Sequence, residues 1–263
     1  MMAHGCYWAK CAFCDTTLDY IGRYDAPRAT TVVDRMQRVA EQTGTSGFHF
    51  VDEALPPQLL RQVGEEILRR GLHVSFWGNI RFEKAYDATL CDLLAEAGCI
   101  AVSGGLEVAS DRLLQLIGKG VSVQQTVDAA RHFRDAGIMV HAYLMYGFPT
   151  ETLQETIDAL ENVRRMFEEG IVQSAFWHRY AMTVHSPSGR NPERYGARRV
   201  DSEPGAFCNN EIPFEAPFEY DLDAAGDALR RATYNYMNGL GLDLPVRQWF
   251  KRLLPYDKKR KRR

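Results

Sequence analysis

Residues 138–170, IMVHAYLMYGFPTETLQETIDALENVRRMFEEG, carry the pattern on which the reading of the fold turns. IMVHAYLMYG is almost continuously apolar, as expected of a parallel strand covered on both faces. After the polar turn GFPTET, Leu153, Ile157, Leu160, Val163 and Phe167 recur at helical spacing and mark one stripe. A strand, a turn and an amphipathic helix make one βα unit.

The same alternation runs outward from it. FHFVDE (48–53) precedes PPQLLRQVGEEILRRG (56–71), where Leu59, Leu60, Val63, Ile67 and Leu68 share a face. The prolines suit the start of that helix and Gly71 its end. LHVSFW (72–77) leads to ATLCDLLAEAG, with Asp87 as cap, and CIAVSGG (99–105) to SDRLLQLIGKG. Ser122 and Gln125 form a capping-box pattern at the next helix, and IVQSAFWHRY (171–180) is the last strand. Strands separated by helices of this size require right-handed crossovers and a parallel sheet. With a helix at about 32–42, the expectation is an α/β fold: a partial (βα)6-type TIM barrel with parallel strands. Residues 1–200 read as the barrel and 201–263 as a C-terminal extension, with a helix near 221–238. Residues 183–219, rich in proline, glycine and charge, read as a long irregular excursion between them.

Composition sets bounds on function. The 263 residues, 45% hydrophobic and 25% charged, have ordinary values for a globular protein with a large core. No apolar run approaches the ~20 residues of a membrane span, and no basic-then-apolar leader is visible, so cytoplasm is the expectation. The net charge of −2 hides a tail, KKRKRR (258–263), without which 26 basic residues face 34 acidic ones. Such a run reads first as a solvated terminus, with contact to RNA as the alternative.

Chemistry collects where the strands of a parallel barrel end. Here those ends deliver Asp52 and Glu53, then Asn79 and Arg81, then Gly104, Gly105 and Glu107. Tyr146, Gly147 and Glu151 come next, and finally His178, Arg179 and Tyr180. Polar groups at strand ends also simply meet water, and Arg81 or Arg179 could pair with Glu53 or Glu107 for purely structural reasons. His178, Tyr180 and Trp177 are the candidates for lining a substrate pocket.

Of six cysteines, Cys6, Cys11 and Cys14 are clustered in HGCYWAKCAFCDTT (4–17), which reads as metal binding. Cys91 and Cys99 read as small buried core residues, and Cys208 receives no role. Spacing alone leaves two readings open. A closed zinc site would recruit His4 as fourth ligand and make this a non-enzymatic, zinc-stapled interaction domain; an iron–sulfur cubane on three thiolates would leave one iron free for a substrate or cofactor.

The sequence resembles radical S-adenosylmethionine (radical SAM) enzymes, through nearly the whole chain to about residue 180. Cys6, Cys11 and Cys14, with Phe13 before the last of them, match the family's three-cysteine loop. FVDE falls at its amino-group-binding segment, which implies Asp52 and Glu53 as partners of the methionine ammonium. SGGLEVASDRLL resembles the segment that brings Glu107 and Ser110 to the ribose or carboxylate, beside Gly105. HAYLMYGFPTET resembles the segment in which Gly147 admits adenine, and Arg81 could balance the cofactor carboxylate. The resemblance implies a 4Fe–4S cluster that cleaves S-adenosylmethionine to a 5′-deoxyadenosyl radical, supplied with electrons by a partner such as flavodoxin or ferredoxin. The substrate, a small molecule, is not identified, and RNA modification is the alternative activity. GLEVASDRLL…GKGVS…AGIMVHAYLMYGFPTET is most similar to the branch that often carries a cobalamin-binding domain. That domain is absent from these residues; cobalamin from elsewhere would turn the expected chemistry from rearrangement to methyl transfer. Four residues, YWAK, separate the first two cysteines where the family usually has three. The family's first strand also lies outside the chain, so the expectation is either a fragment or a barrel that opens with a gap.

Overall fold

The computed structural model describes residues 1–200 and 210–253. After the cysteine segment come a short helix α1 (Asp19–Gly22) and α2 (Ala29–Thr43). The alternating series is β1 (Gly47–Phe50), α3 (Pro57–Arg69), β2 (Ser75–Ile80), α4 (Ala88–Glu96) and β3 (Cys99–Glu107). It continues with α5 (Asp111–Leu116), α6 (Val123–Asp135), β4 (Met139–Tyr146), α7 (Leu153–Glu168) and β5 (Ser174–Arg179). Beyond it lie α8 (Pro187–Arg190), an antiparallel pair β6 (Arg198–Arg199) and β7 (Phe214–Glu215), and α9 (Leu222–Met237).

The five strands β1 to β5 form one parallel sheet in chain order, each joined to the next through helix, as right-handed crossovers demand. This is the expected α/β partial barrel, and its five strands correspond to the five strand segments read from the sequence. The helices begin where the sequence signals them. The Asp87 carboxylate accepts from the Leu90 amide at 2.8 Å, and complete capping boxes open α6 (Ser122 with Gln125) and α7 (Thr152 with Glu155). Each replaces a donor that the first helical turn would otherwise leave unpaired.

One face of the sheet is buried under helices. Phe50, Phe76, Val102, Val140, Leu144 and Trp177 alternate onto it and join Leu60, Val63, Ile67 and Leu160 in the main core. Cys91 and Cys99 sit in the same core, and burial pushes both thiols up to about 12, so they remain protonated. Helix α9 closes the core against β5, where the Trp177 indole donates to Thr233 at 2.9 Å. Trp177 therefore faces the core rather than a substrate pocket. The opposite face, which a barrel turns inward, carries His49, Trp77, Ser103, His141, Tyr143 and Phe176 and has no helix over it among the described residues.

Two strand boundaries differ from expectation. β2 starts at Ser75 rather than residue 72, because the Leu72 amide still closes the end of α3 on the Ile67 carbonyl. β1 stops at Phe50, and Asp52 and Glu53 belong to the turn after it. Cys208 and the KKRKRR tail lie outside the described residues. No helix among the described residues is long and apolar enough to cross a membrane.

Candidate functional site

The cysteine segment is pinned over the ends of β2 and β3. The Cys6 amide donates to the Ile21 carbonyl at 2.9 Å and the Ala12 amide to Ile117 at 2.7 Å. Ser188, fully buried, donates through its amide and its hydroxyl to the Ala12 carbonyl, at 3.0 and 2.6 Å. Asp15 accepts from Thr183 at 2.5 Å and from Asn210 at 2.6 Å. The excursion after β5 thus clamps the loop.

The residues that lengthen the first cysteine interval are also anchored. The Trp8 indole donates to the Gly118 carbonyl at 2.9 Å and lies against the Arg81 guanidinium at 4.2 Å. Tyr7 donates to Glu83 at 2.9 Å, and burial, then the Glu83 charge, pushes its hydroxyl above the ordinary range. A side chain at Gly120 would collide with Trp8, its Cβ lying 2.1 Å from the indole, and Gly120 also needs φ +77°. Gly120→Ala should therefore cost about 1–3 kcal/mol, read by denaturant unfolding. It should also loosen the loop, read as faster trypsin cleavage at Lys10.

Cys6, Cys11 and Cys14 all line one cavity with about 700 Å³ of space between atoms, part of it open to solvent. Cys11 and Cys14 are neighbours in this cavity, and the Cys14 thiol favours a thiolate at Cys11. This pulls Cys11 down to about 7 against the effect of burial, with Lys119 adding to the pull, and holds Cys14 up as the protonated partner. Phe13, Glu53, Arg81, Gly105 and Glu107 line the same cavity, as the sequence suggested. Burial, then the Asp52 charge, raises the Glu53 carboxyl, so a cation placed beside it would be favoured.

Arg81 is buried and pairs with Glu83 at 2.8 Å, not with Glu53 or Glu107. Its second terminal nitrogen donates to the Lys119 carbonyl at 2.5 Å, and its Nε is buried without a hydrogen-bond partner. Glu107 stands at φ +55°, uncommon for a non-glycine residue, and pairs with the buried Lys119 ammonium at 2.6 Å. Burial opposes the Lys119 charge, but Glu107 and Cys11 outweigh it and raise its pKa. A Cβ at Gly105 would lie 1.8 Å from Glu107 Oε1, so the glycine makes room for this ion pair.

Three residues expected at the site are elsewhere. The Asp52 carboxylate is buried and accepts from the amides of Met2 and Ala3 at 2.5–2.9 Å; it anchors the N-terminal segment and does not line the cavity. Ser110 caps α5, accepting from the Leu113 amide, and donates to Glu155 at 3.1 Å. Gly147 does have φ +76° but does not line the cavity, and a Cβ there would meet the Leu222 side chain of α9 at 3.3 Å. Arg179 is half exposed and pairs with Asp223, and the Tyr180 hydroxyl donates to Ser188. Lys119 was missed. Its only trace in the sequence is a lysine between two glycines, Gly118 and Gly120, both at positive φ.

Glu151 exemplifies a strand-end carboxylate with a structural role. It accepts from the amides of Gly147 (2.6 Å) and Phe148 (3.2 Å) and from Thr156 (2.8 Å), which shapes the turn into α7. Burial raises its pKa to about 7 despite those bonds. Between the ordinary 4.5 and about 7 the folded chain holds this proton more tightly than the unfolded one. Stability should therefore fall as pH rises through that window, by at most ~1.4 kcal/mol per pH unit. Glu151→Gln should flatten this part of a pH-resolved thermal unfolding series.

No three His, Cys, Asp or Glu side chains among the described residues are gathered around a single ion. The His4 ring is bonded to the Asp19 carbonyl at 3.2 Å and does not line the cavity. A tetrahedral zinc site closed by His4 is therefore not built. Three sulfurs spread around one cavity suit a polynuclear group in which each thiolate takes a different metal atom.

A family model described as Radical SAM superfamily matches residues 2–163. The chain is 26% identical over 168 residues to an uncharacterized methyltransferase of Pyrococcus horikoshii, covering 63% of this chain and 36% of that protein. It is 27% identical over 247 residues to the cytidylyl-2-hydroxyethylphosphonate methyltransferase of Streptomyces wedmorensis, covering 86% and 45%. Among solved structures it superposes on the radical S-adenosylmethionine methyltransferase TsrM from Kitasatospora setae, with cobalamin and a 4Fe–4S cluster bound. There the TM-score is 0.61 and the identity 22%, over 77% of this chain and 42% of that one. It also superposes on the cobalamin-dependent S-adenosylmethionine radical enzyme OxsB, with TM-score 0.66 and 15% identity over 88% and 40%. These two likenesses are of fold. The chain spans less than half the length of each of these relatives.

Proposed function

Because the chain belongs to the radical SAM superfamily, we propose that Cys6, Cys11 and Cys14 hold a 4Fe–4S cluster and that the adjoining cavity takes S-adenosylmethionine. A cluster held by these thiolates would supply the electron for reductive cleavage of the cofactor's carbon–sulfur bond, which would yield methionine and a 5′-deoxyadenosyl radical able to take hydrogen from a substrate. The observation that carries the reading is the convergence of three loop sulfurs on one cavity that also holds Glu53, Arg81 and the Glu107–Lys119 pair. Glu53 would receive the cofactor ammonium and Lys119 would attract its carboxylate, while Glu107 would accept from a ribose hydroxyl. The Cys11 thiol, already low, is the one most readily deprotonated for iron. Walls on several sides would restrict the access of water to a reactive carbon radical.

The methyltransferases among the relatives favour methyl transfer, with cobalamin held by a domain beyond these residues. We place the reaction in the cytoplasm, where thiols stay reduced, with a flavodoxin- or ferredoxin-type protein as electron donor. Residues 1–200 form the catalytic barrel in this proposal and 201–263 its extension. The test is anaerobic reconstitution with iron and sulfide, followed by metal analysis and assay of 5′-deoxyadenosine after reduction. Cleavage dependent on the cluster is expected. Stoichiometric zinc that iron cannot displace, or a cluster with no binding of the cofactor, would overturn the reading.

A further inference from the structure

The uncovered face of the sheet holds a second cavity, with about 750 Å³ of space and wide contact with solvent. Its shape follows from the strand register. Ala101, Ser103 and Gly105 of β3 alternate onto this face, and their small side chains form a floor. Trp77 and Asn79 of β2 stand beside Ala101 and Ser103 on one flank. Met139, His141 and Tyr143 of β4 stand beside Ala101, Ser103 and Gly105 on the other. The result is a trough along β3 between two taller rows, and its upper end enters the cofactor cavity: Ser103 and Tyr143 line both.

Its chemistry is one-sided. None of the lining residues is Asp, Glu, Lys or Arg, whereas four charged side chains line the cofactor cavity above. Its polar groups are largely engaged: Gln173 bonds the Val140 amide and the Gly170 carbonyl, and His141 Nδ1 bonds Ser174 at 2.7 Å. Burial, then the nearby His178, lowers the His141 pKa, so its ring stays neutral. The flanks are flat rings. His49 and Trp77 stack at 3.6 Å and 4°, and Tyr143 meets His141 edge-on at 5.0 Å. Met139 is 53% exposed, apolar surface left for something to cover.

We infer that this trough binds a planar, uncharged aromatic or heteroaromatic substrate, edge towards the cofactor cavity. The inference rests on the function proposed above. The trough offers an ionic group no countercharge, whereas a flat ring would cover the apolar surface of Trp77 and Met139 without needing one. Ser103 and the free nitrogen of His141 could orient one polar edge.

The test uses the full chain with methyl-labelled methionine, titrated with indole, with indole-3-acetate and with tryptamine. Indole should give a saturable shift of the Met139 methyl, and the charged analogues should bind at least ~10-fold more weakly, about 1.4 kcal/mol. Ala101→Leu should block the floor and Met139→Lys should charge the flank; each should reduce indole retention in equilibrium dialysis by a similar factor. Met139→Lys, at an exposed position, guards against a folding failure in the first variant. Equal binding of the three probes, unchanged retention in both variants, or no saturation because other chain covers the trough would overturn the inference. None of these measurements needs the cluster. Cofactor cleavage without indole binding would sink the trough alone, and indole binding without cleavage would sink only the proposed reaction.

Discussion

Cys11→Ala is expected to reduce reconstituted iron and sulfide to background and to abolish formation of 5′-deoxyadenosine, while far-ultraviolet circular dichroism stays unchanged. The loss should be complete because a cubane cannot borrow a nearby replacement: His4 is tied to Asp19, and Cys91 and Cys99 are in the core. The fold should survive because the loop is held by its backbone. The Ala12 amide and carbonyl, bonded to Ile117 and Ser188, do not involve the thiol. Cys91→Ala supplies the contrast. Cys91 is fully buried in α4, so its replacement should cost about 1 kcal/mol in packing and leave iron content intact. Full iron in Cys11→Ala, or iron lost from Cys91→Ala, would remove the basis for assigning the cluster to this loop.

The fold could be read from the sequence because its signals are local. Apolar runs separated by capped amphipathic helices admit few topologies, and Asp87, Ser122 and Thr152 cap the helices they announce. The site was legible only in part. The cysteine trio, Glu53, Arg81 and Glu107 project into one cavity because they sit at strand ends or in the loop above them. Asp52 and Ser110 were misplaced for one shared reason: each meets a backbone donor, in the N-terminal segment or in the first turn of α5, that leaves its side chain no freedom to face the cavity. The Asp52 partners are chosen by tertiary packing, which spacing does not reveal, whereas the Ser110 cap is a local signal of the same kind as Asp87. Lys119 escaped notice for the opposite reason, since a lysine in a short inter-helix loop looks solvated until a carboxylate twelve residues earlier is folded against it. The clamp from Ser188 and Asn210 is equally long-range.

Lys119→Met is expected to be the most destabilising substitution outside the apolar core, by about 3–5 kcal/mol. The ammonium is 7% exposed and the Glu107 carboxylate 12%, and they meet at 2.6 Å. Removing the cation strands a carboxylate at a residue whose backbone already occupies the left-handed region. The melting temperature at neutral pH should drop on the order of 10 °C. Glu107→Gln alone should also destabilise, by leaving the ammonium without its counterion, yet the double variant Glu107→Gln/Lys119→Met should recover most of the loss, because no buried charge remains unpaired. The same cation lies close enough to lower the Cys11 pKa. A reconstituted Lys119→Met protein should therefore have a more negative reduction potential, as removal of a positive charge near the thiolates disfavours an added electron. Additive destabilisation in the double variant would show that the two groups are stabilised separately rather than by each other. An unchanged potential would mean that the ammonium is screened from the thiolate it now faces.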